Sequence, residues 1–216
     1  MENSKTTYLS LFEDKRMNKD IFIHPLAVVE SSDIGEGTRI WAWTHIMPGA
    51  KIGRFCNIGE HCYIENDVKI GDYCTIKNGV CLWDGITLED HVFVGPCAVF
   101  TNDKYPRSRA KDWELRRTLV KKYATIGAGA VILCGIEIGA FSMIGAGAVV
   151  TKSVPDFAVV AGNPAKILGY ACFCGSIVLK AKNLKRRKFL EKEIICPKCG
   201  ISYKYEDGKI ELVGNK

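Results

Sequence analysis

The segment IMPGAKIGRFCNIGEHCYIENDVKIGDYCTI, residues 46–76, carries an isoleucine at every sixth position. Outward from it, large apolar residues hold the same beat, back through Ile40 and Ile34 to Val28 and Phe22, and on through Leu82, Leu88 and Val94 to Phe100. The beat returns at Ile126, Ile132, Ile138, Ile144 and Val150. Four positions after most of these residues stands a small or β-branched one, among them Thr38, Thr44, Cys56, Cys62, Cys74, Val80, Ala130 and Ser142. A helix repeats near 3.6 and a half-buried strand near two, so a period of six is neither alone. It fits a short strand followed by a corner, with the small and the large residue of each strand pointing the same way. Three such strands close a triangular coil, and stacking at ~4.8 Å per coil makes the nineteen hexads a prism roughly 30 Å tall. Glycine often follows the large residue, as at Gly35, Gly53, Gly59, Gly127 and Gly145, and is expected to supply positive φ at the corners. The fold class is therefore all-β, a parallel β-helix built as a hexapeptide-repeat solenoid.

The chain has 216 residues, 47% of them apolar, and a net charge of +6 spread along its length. That charge does not favour nucleic acid as a partner. No apolar run reaches the length of a membrane span, and residues 1–20 lack the hydrophobic core of a signal peptide. A cytoplasmic protein with reduced cysteines is expected. Residues 1–20 read as a polar, disordered leader, residues 21–170 as the β-helix, and 171–216 as a separate small module.

The register sends the residue before each large apolar one outward. A first face then carries His45, Tyr63, Cys81 and Val99; a second carries Lys51, Lys69 and Thr87; a third carries Arg39, Asn57, Thr75 and Phe93. The first is the least charged and is the expected subunit interface. A three-sided prism burying one side against its copies closes a ring. The corners beside that face carry His61 and Asn78 on one flank and Asn66, Asp84 and Asn102, eighteen apart, on the other. Corner Asn and Asp commonly satisfy turn backbone. Here the second flank also launches the one long interruption, residues 101–125, with Tyr105, Arg107 and Trp113, and insertions in repeat folds map to binding faces.

Cys56, Cys62 and Cys74 fall on inward small positions. Cys172 and Cys174, then Cys196 and Cys199, form two knuckles, each closed by a glycine. Four thiolates brought together read as a structural zinc site, and a module this small needs a metal to fold. Strands Ile201–Tyr205 and Lys209–Val213 should pair across a turn at Glu206-Asp207-Gly208. The basic run 180–192 reads as a solvated segment. His61 and His91 lie thirty residues apart and do not share a corner column, which argues against the catalytic metal site of a carbonic anhydrase on this scaffold.

The solenoid ending in Val154-Pro-Asp-Phe-Ala-Val-Val-Ala-Gly-Asn-Pro-Ala-Lys166 resembles the left-handed β-helix acyltransferases. Ile23-His-Pro-Leu-Ala-Val-Val29, Gly37-Thr-Arg-Ile-Trp41, Leu88-Glu-Asp-His-Val-Phe-Val-Gly-Pro96, Phe100-Thr-Asn102 and Pro106-Arg-Ser108 narrow the likeness to nucleotide-sugar 3-N-acetyltransferases. Those acting on UDP-2-acetamido-3-amino-2,3-dideoxy-glucuronate match best, with dTDP-3-amino-3,6-dideoxyhexose enzymes as the alternative. The resemblance implies left-handed winding, a homotrimer, acetyl-CoA as co-substrate and surface-polysaccharide synthesis as the setting. It makes Asn78 the residue that orients the amine, although relatives have a second Asn where this chain has Gly79. His45 is either catalytic or interfacial. Asn66, Asp84, Asn102 and Arg107 are expected at the sugar nucleotide, and Gly127, Ala128, Gly145, Ala146, Lys152 and Lys166 at CoA. A thioester is already activated, so positioning and oxyanion stabilisation suffice for amine attack.

Overall fold

The computed structural model describes residues 18–181, 193–206 and 209–215. The leader, through residue 17, most of the basic run and the turn residues 207–208 lie outside them. The chain winds as a parallel β-solenoid whose three sheets are the three sides of the prism. His45 pairs with Tyr63 and Tyr63 with Cys81 on the first face. Lys51 pairs with Lys69 on the second, and Arg39 with Asn57 on the third. The large residues from Ile40 to Phe100 and from Ile126 to Val150 are buried, as are their small companions.

The small positions do more than fill space. Thr38 and Thr44 donate their hydroxyls to Gly53 and Gly59 carbonyls one coil on, at 2.8 and 2.7 Å. Cys56, Cys62 and Cys74 direct their thiols to Gly71, Lys77 and Glu89 carbonyls in the same way. Thr and Cys are thus one solution to the same need, a small side chain that gives a buried carbonyl a donor. Burial also pushes the Cys62 thiol up to about 11, so it stays protonated.

Three sequence expectations change. The first coil is one residue short: Ile23 pairs with Ile40 and Val29 with Ile46, so by register Phe22 and Val28 stand outside the beat, although at this open end Ile23 is itself exposed. Both slots hold adjacent apolar pairs, and pattern alone chose the wrong member of each. The corner glycines were expected to serve positive φ, but those after the large residues serve close approach instead. A Cβ on Gly127 would come within 2.5 Å of the Ala146 backbone nitrogen in the next coil. Positive φ falls two residues further along the corner, on aromatics and on other glycines such as Gly37, Gly79, Gly129 and Gly147. The interruption is also shorter than 101–125. Thr118–Val120 is a strand, with Leu88 pairing to Val120 thirty-two positions on rather than eighteen, so fourteen residues leave the coil.

Those aromatics build the corner between the second and third faces. Phe55, Tyr73, His91, Tyr123, Phe141 and Phe157 stack with centroids 4.5–5.1 Å apart and planes within 20°. The spacing is that of the coils themselves, so stacking follows from register. Each rung holds φ between 54° and 61°, a left-handed conformation that costs a side-chain residue about 1–2 kcal/mol and that an aromatic pair, at ~0.5–1.5 kcal/mol, helps offset.

At the far end the third sheet turns antiparallel, through Ala158–Ala161, Lys166–Ala171 and Ile177–Lys180. A three-stranded antiparallel sheet follows, Ile194–Ile195, Ile201–Glu206 and Lys209–Asn215; the last two strands pair as expected, but Glu206, expected in the turn, ends its strand opposite Lys209.

Candidate active site

The corner leaving the first face carries Asn66, Asp84 and Asn102 on successive coils. Asn66 accepts the Gly49 N–H at 3.0 Å, and Asp84 accepts the Asp67 N–H at 2.7 Å. Glu65 accepts the Asp84 N–H at 2.7 Å. Asn66 and Asp84 therefore tie their coils to the one below and Glu65 ties its coil to the one above, the backbone-satisfying role weighed for corner Asn and Asp. Asp84 and Asn102 also face a cleft. The inserted loop folds back so that Arg116 N–H reaches the Asn102 carbonyl at 2.9 Å, and Arg117 pairs with Asp67 at 2.7 Å. Between loop and corner lies a cavity of about 560 Å³, walled by Trp83, Trp113 and Pro106 and edged by Asp84, Asn102 and Arg107. Trp83 is fixed there by its indole N–H on the Phe100 carbonyl at 3.0 Å.

Three of the four residues expected at the sugar nucleotide thus converge on one cleft; Asn66 sits below it. Glu65 and Asp103 line it too and were not singled out, although Glu65 precedes Asn66 as Trp83 precedes Asp84. The cleft can hold a flat ring against indole, with three carboxylates and one guanidinium for polar groups.

The corner entering the first face holds Asn78. Its Oδ1 lies against Gly59, where an added Cβ would come within 2.5 Å, and its Nδ2 is 3.5 Å from Glu60 Oε2. Presenting the oxygen to an amine takes a turn of the side chain. Above Asn78 on this corner stand Gly127, Ala128, Gly145 and Ala146; the neighbouring Gly129 and Gly147 face open space. Lys166 opens the strand opposite Ala161, at the top of the same edge. Lys152 does not join them. It lies on the other corner, in the column of Asn102. His45 sits on the first face two coils below Cys81, its Nε2 2.8 Å from Glu30 Oε2 and its ring edge-on to Tyr63. Within one chain it is about 10 Å from the Asn78 coil. His61 stacks on Trp43, and His91 is a rung of the ladder.

Among the described residues, the group of metal-ligating side chains drawn together is Cys172, Cys174, Cys196 and Cys199, with all four sulfurs within 4.8 Å of one another. Cys172 lies 3.3 Å from Cys199, and Cys174 3.6 Å from Cys196. Thiolates bound at ~2.3 Å in a tetrahedron are about 3.8 Å apart, so the donor set fits zinc. Gly175 and Gly200 close the knuckles at φ of 80° and 75°.

The family model "Bacterial transferase hexapeptide (six repeats)" matches residues 31–66 and 117–152. The dTDP-3-amino-3,6-dideoxy-alpha-D-galactopyranose 3-N-acetyltransferase of Aneurinibacillus thermoaerophilus is 51% identical over 187 residues, 87% of this chain and 92% of that one. Serine acetyltransferase of Haemophilus influenzae is 33% identical over 77% of this chain, which spans only 46% of it. A hexapeptide-repeat acetyltransferase of Vibrio cholerae, solved with acetyl coenzyme A, aligns at a TM-score of 0.51 and 32% identity, covering 56% of this chain and 70% of that one. With its solenoid, its repeats and these relatives in agreement, the chain belongs to the hexapeptide-repeat acetyltransferases.

Proposed function

We propose that the protein transfers the acetyl group of acetyl-CoA to the 3-amino group of a nucleotide-linked 3-amino sugar. A dTDP-3-amino-3,6-dideoxyhexose is the better-supported acceptor. The relative at 51% identity is named for such a substrate, and a cleft edged by three carboxylates and one guanidinium disfavours the uronate carboxyl of the UDP-2-acetamido-3-amino-2,3-dideoxy-glucuronate expected from sequence. That uronate remains the second reading. The cleft between Asp84, Asn102, Arg107 and the indoles of Trp83 and Trp113 carries the proposal: it is where the single insertion meets the polar corner of the least charged face.

The two edges flank the first face. When that face packs against a copy of itself in a homotrimer, the cleft edge of one chain meets the Asn78 edge of another. Acetyl-CoA then lies along Gly127, Ala128, Gly145 and Ala146 with Lys166 beyond, while Lys152 belongs with the cleft edge. The neutral amine attacks the thioester carbonyl carbon, a C–N bond forms, the C–S bond breaks, and the ammonium proton passes to the departing thiolate. Asn78 orients the amine, and backbone N–H groups of the corner receive the oxyanion. His45, held by Glu30, serves the interface. The four cysteines hold structural zinc, and ten cysteines with no disulfide among them fit a cytoplasmic setting.

Incubating the protein with acetyl-CoA and a panel of dTDP- and UDP-linked 3-amino sugars, while following free CoA, tests the assignment. Release with a dTDP-3-amino-3,6-dideoxyhexose is expected. Release with only a UDP-uronate would favour the second reading, and none with any 3-amino sugar would end both.

A further inference from the structure

Tyr203 is fully enclosed. A buried phenol needs partners for its proton and its lone pair. The Phe173 backbone N–H donates to the phenol oxygen at 3.1 Å, which directs the one hydroxyl hydrogen to Cys172 Sγ, 3.0 Å away. A thiol sulfur is a weak acceptor, whereas a thiolate makes a charge-assisted bond. The hydroxyl hydrogen is therefore committed to a sulfur of the cysteine cluster.

The same residues touch the solenoid. The Tyr203 ring meets Phe157 edge-on at 5.8 Å. Phe173, between the first two cysteines, stands perpendicular to Phe141 at 4.3 Å and Phe157 at 5.1 Å. The last two rungs of the aromatic ladder are thus the floor of the cysteine cluster. The Ala171 N–H bonds the Phe157 carbonyl at 2.8 Å, joining the strand before the first knuckle to the same rung.

We propose that Tyr203 is a positioning residue of the metal site: its hydroxyl holds the Cys172 thiolate, and through Phe157 and Phe173 the loaded site orders the terminal coil, residues 158–171. The inference rests on the zinc reading above. Loss of the metal would leave the Cys172 sulfur unheld by ligation and loosen the first knuckle from the ladder.

Three measurements on the full chain and on the variants Tyr203→Phe, Tyr205→Phe and Cys196→Ser test this: zinc content by mass spectrometry, zinc release to a chromophoric chelator, and hydrogen exchange with and without zinc. Wild type and both tyrosine variants should hold stoichiometric zinc, and Cys196→Ser should lose it. Tyr203→Phe should release zinc about tenfold faster. Tyr205→Phe, from a ring that contacts Tyr170, should match wild type. Zinc removal should raise exchange in residues 158–171 and leave residues 57–76 unchanged. Zinc-free protein, or zinc retained by Cys196→Ser, would overturn the zinc reading and the inference together. Stoichiometric zinc with wild-type release from Tyr203→Phe would overturn the role of the hydroxyl alone. Exchange in 158–171 indifferent to zinc would overturn the ordering of the coil.

Discussion

Single side chains in this solenoid are judged by whether they complete a bond between coils. Cys74 directs its thiol to the Glu89 carbonyl at 3.1 Å, whereas Ser142, in the same inward column, has a buried hydroxyl with no hydrogen-bond partner. Opposite outcomes follow for the same kind of change. Cys74→Ala should destabilise the fold by about 1 kcal/mol, through a lost donor and a small void. Ser142→Ala should be neutral or stabilise by up to about 1 kcal/mol, because it removes an unsatisfied polar atom. Denaturant midpoints of the two variants read this directly; equal losses would mean that the column is simply packed. At the Asn78 edge, Asn78→Ala should lower kcat by roughly a hundredfold, the scale of one oriented polar group at a reacting centre. KM for acetyl-CoA should change little, since CoA is assigned to the coils above. A variant that loses CoA affinity and keeps kcat would reassign the residue.

The aromatic ladder is the element whose logic is least visible in sequence, and it gives a test that runs against ordinary propensity. Phe141 stacks on Tyr123 and Phe157, meets Phe173 edge-on, and does so at φ of 57°. Phe141→Ala loses the ring contacts, at about 2–3 kcal/mol for a half-buried aromatic, and keeps a Cβ in the left-handed region. Phe141→Gly loses the same contacts but relieves about 1 kcal/mol of backbone strain. The glycine variant should therefore melt several degrees above the alanine variant; the reverse order would show that the corner is not strained. The repeat itself was legible because inward positions from Ile40 to Phe100 admit only large apolar residues. The first coil was not, since Phe22-Ile23 and Val28-Val29 each offer two apolar residues for one inward slot. Thr118–Val120 was hidden by the Arg-rich stretch before it, although Val120 stands six before Ile126. The cleft was half legible: the eighteen-residue spacing named Asp84 and Asn102, but only folding brings Trp113 back over Trp83. Tyr203 carried no signal at all, because its partner Cys172 is thirty-one positions away in sequence.

At the scale of the whole molecule, one side of the prism asks to be covered. Val28 and Val99 on the first face are 55% and 48% exposed, and Cys81, Val131 and Val149 are in register with Val99 on the same sheet. The second face, by contrast, carries Lys51, Lys69 and Glu137. A folded monomer would leave the valine side in water, and burying it against two further copies removes that apolar area at about 25 cal/mol per Å². In the proposed homotrimer the same packing would bring the Asp84–Asn102 edge of one chain to the Asn78 edge of the next, so that assembly and activity would share one surface. Val99→Lys places a charge in the middle of that face while leaving the inward core untouched, because Val99 points out from Phe100. The variant should fold, sediment as a monomer at micromolar concentration and lose at least about a hundredfold in turnover, the cost of burying unpaired ammonium groups exceeding what each contact supplies. Val99→Lys that stayed trimeric would place the interface on another side. A monomer with full turnover would put both edges of the site within a single chain.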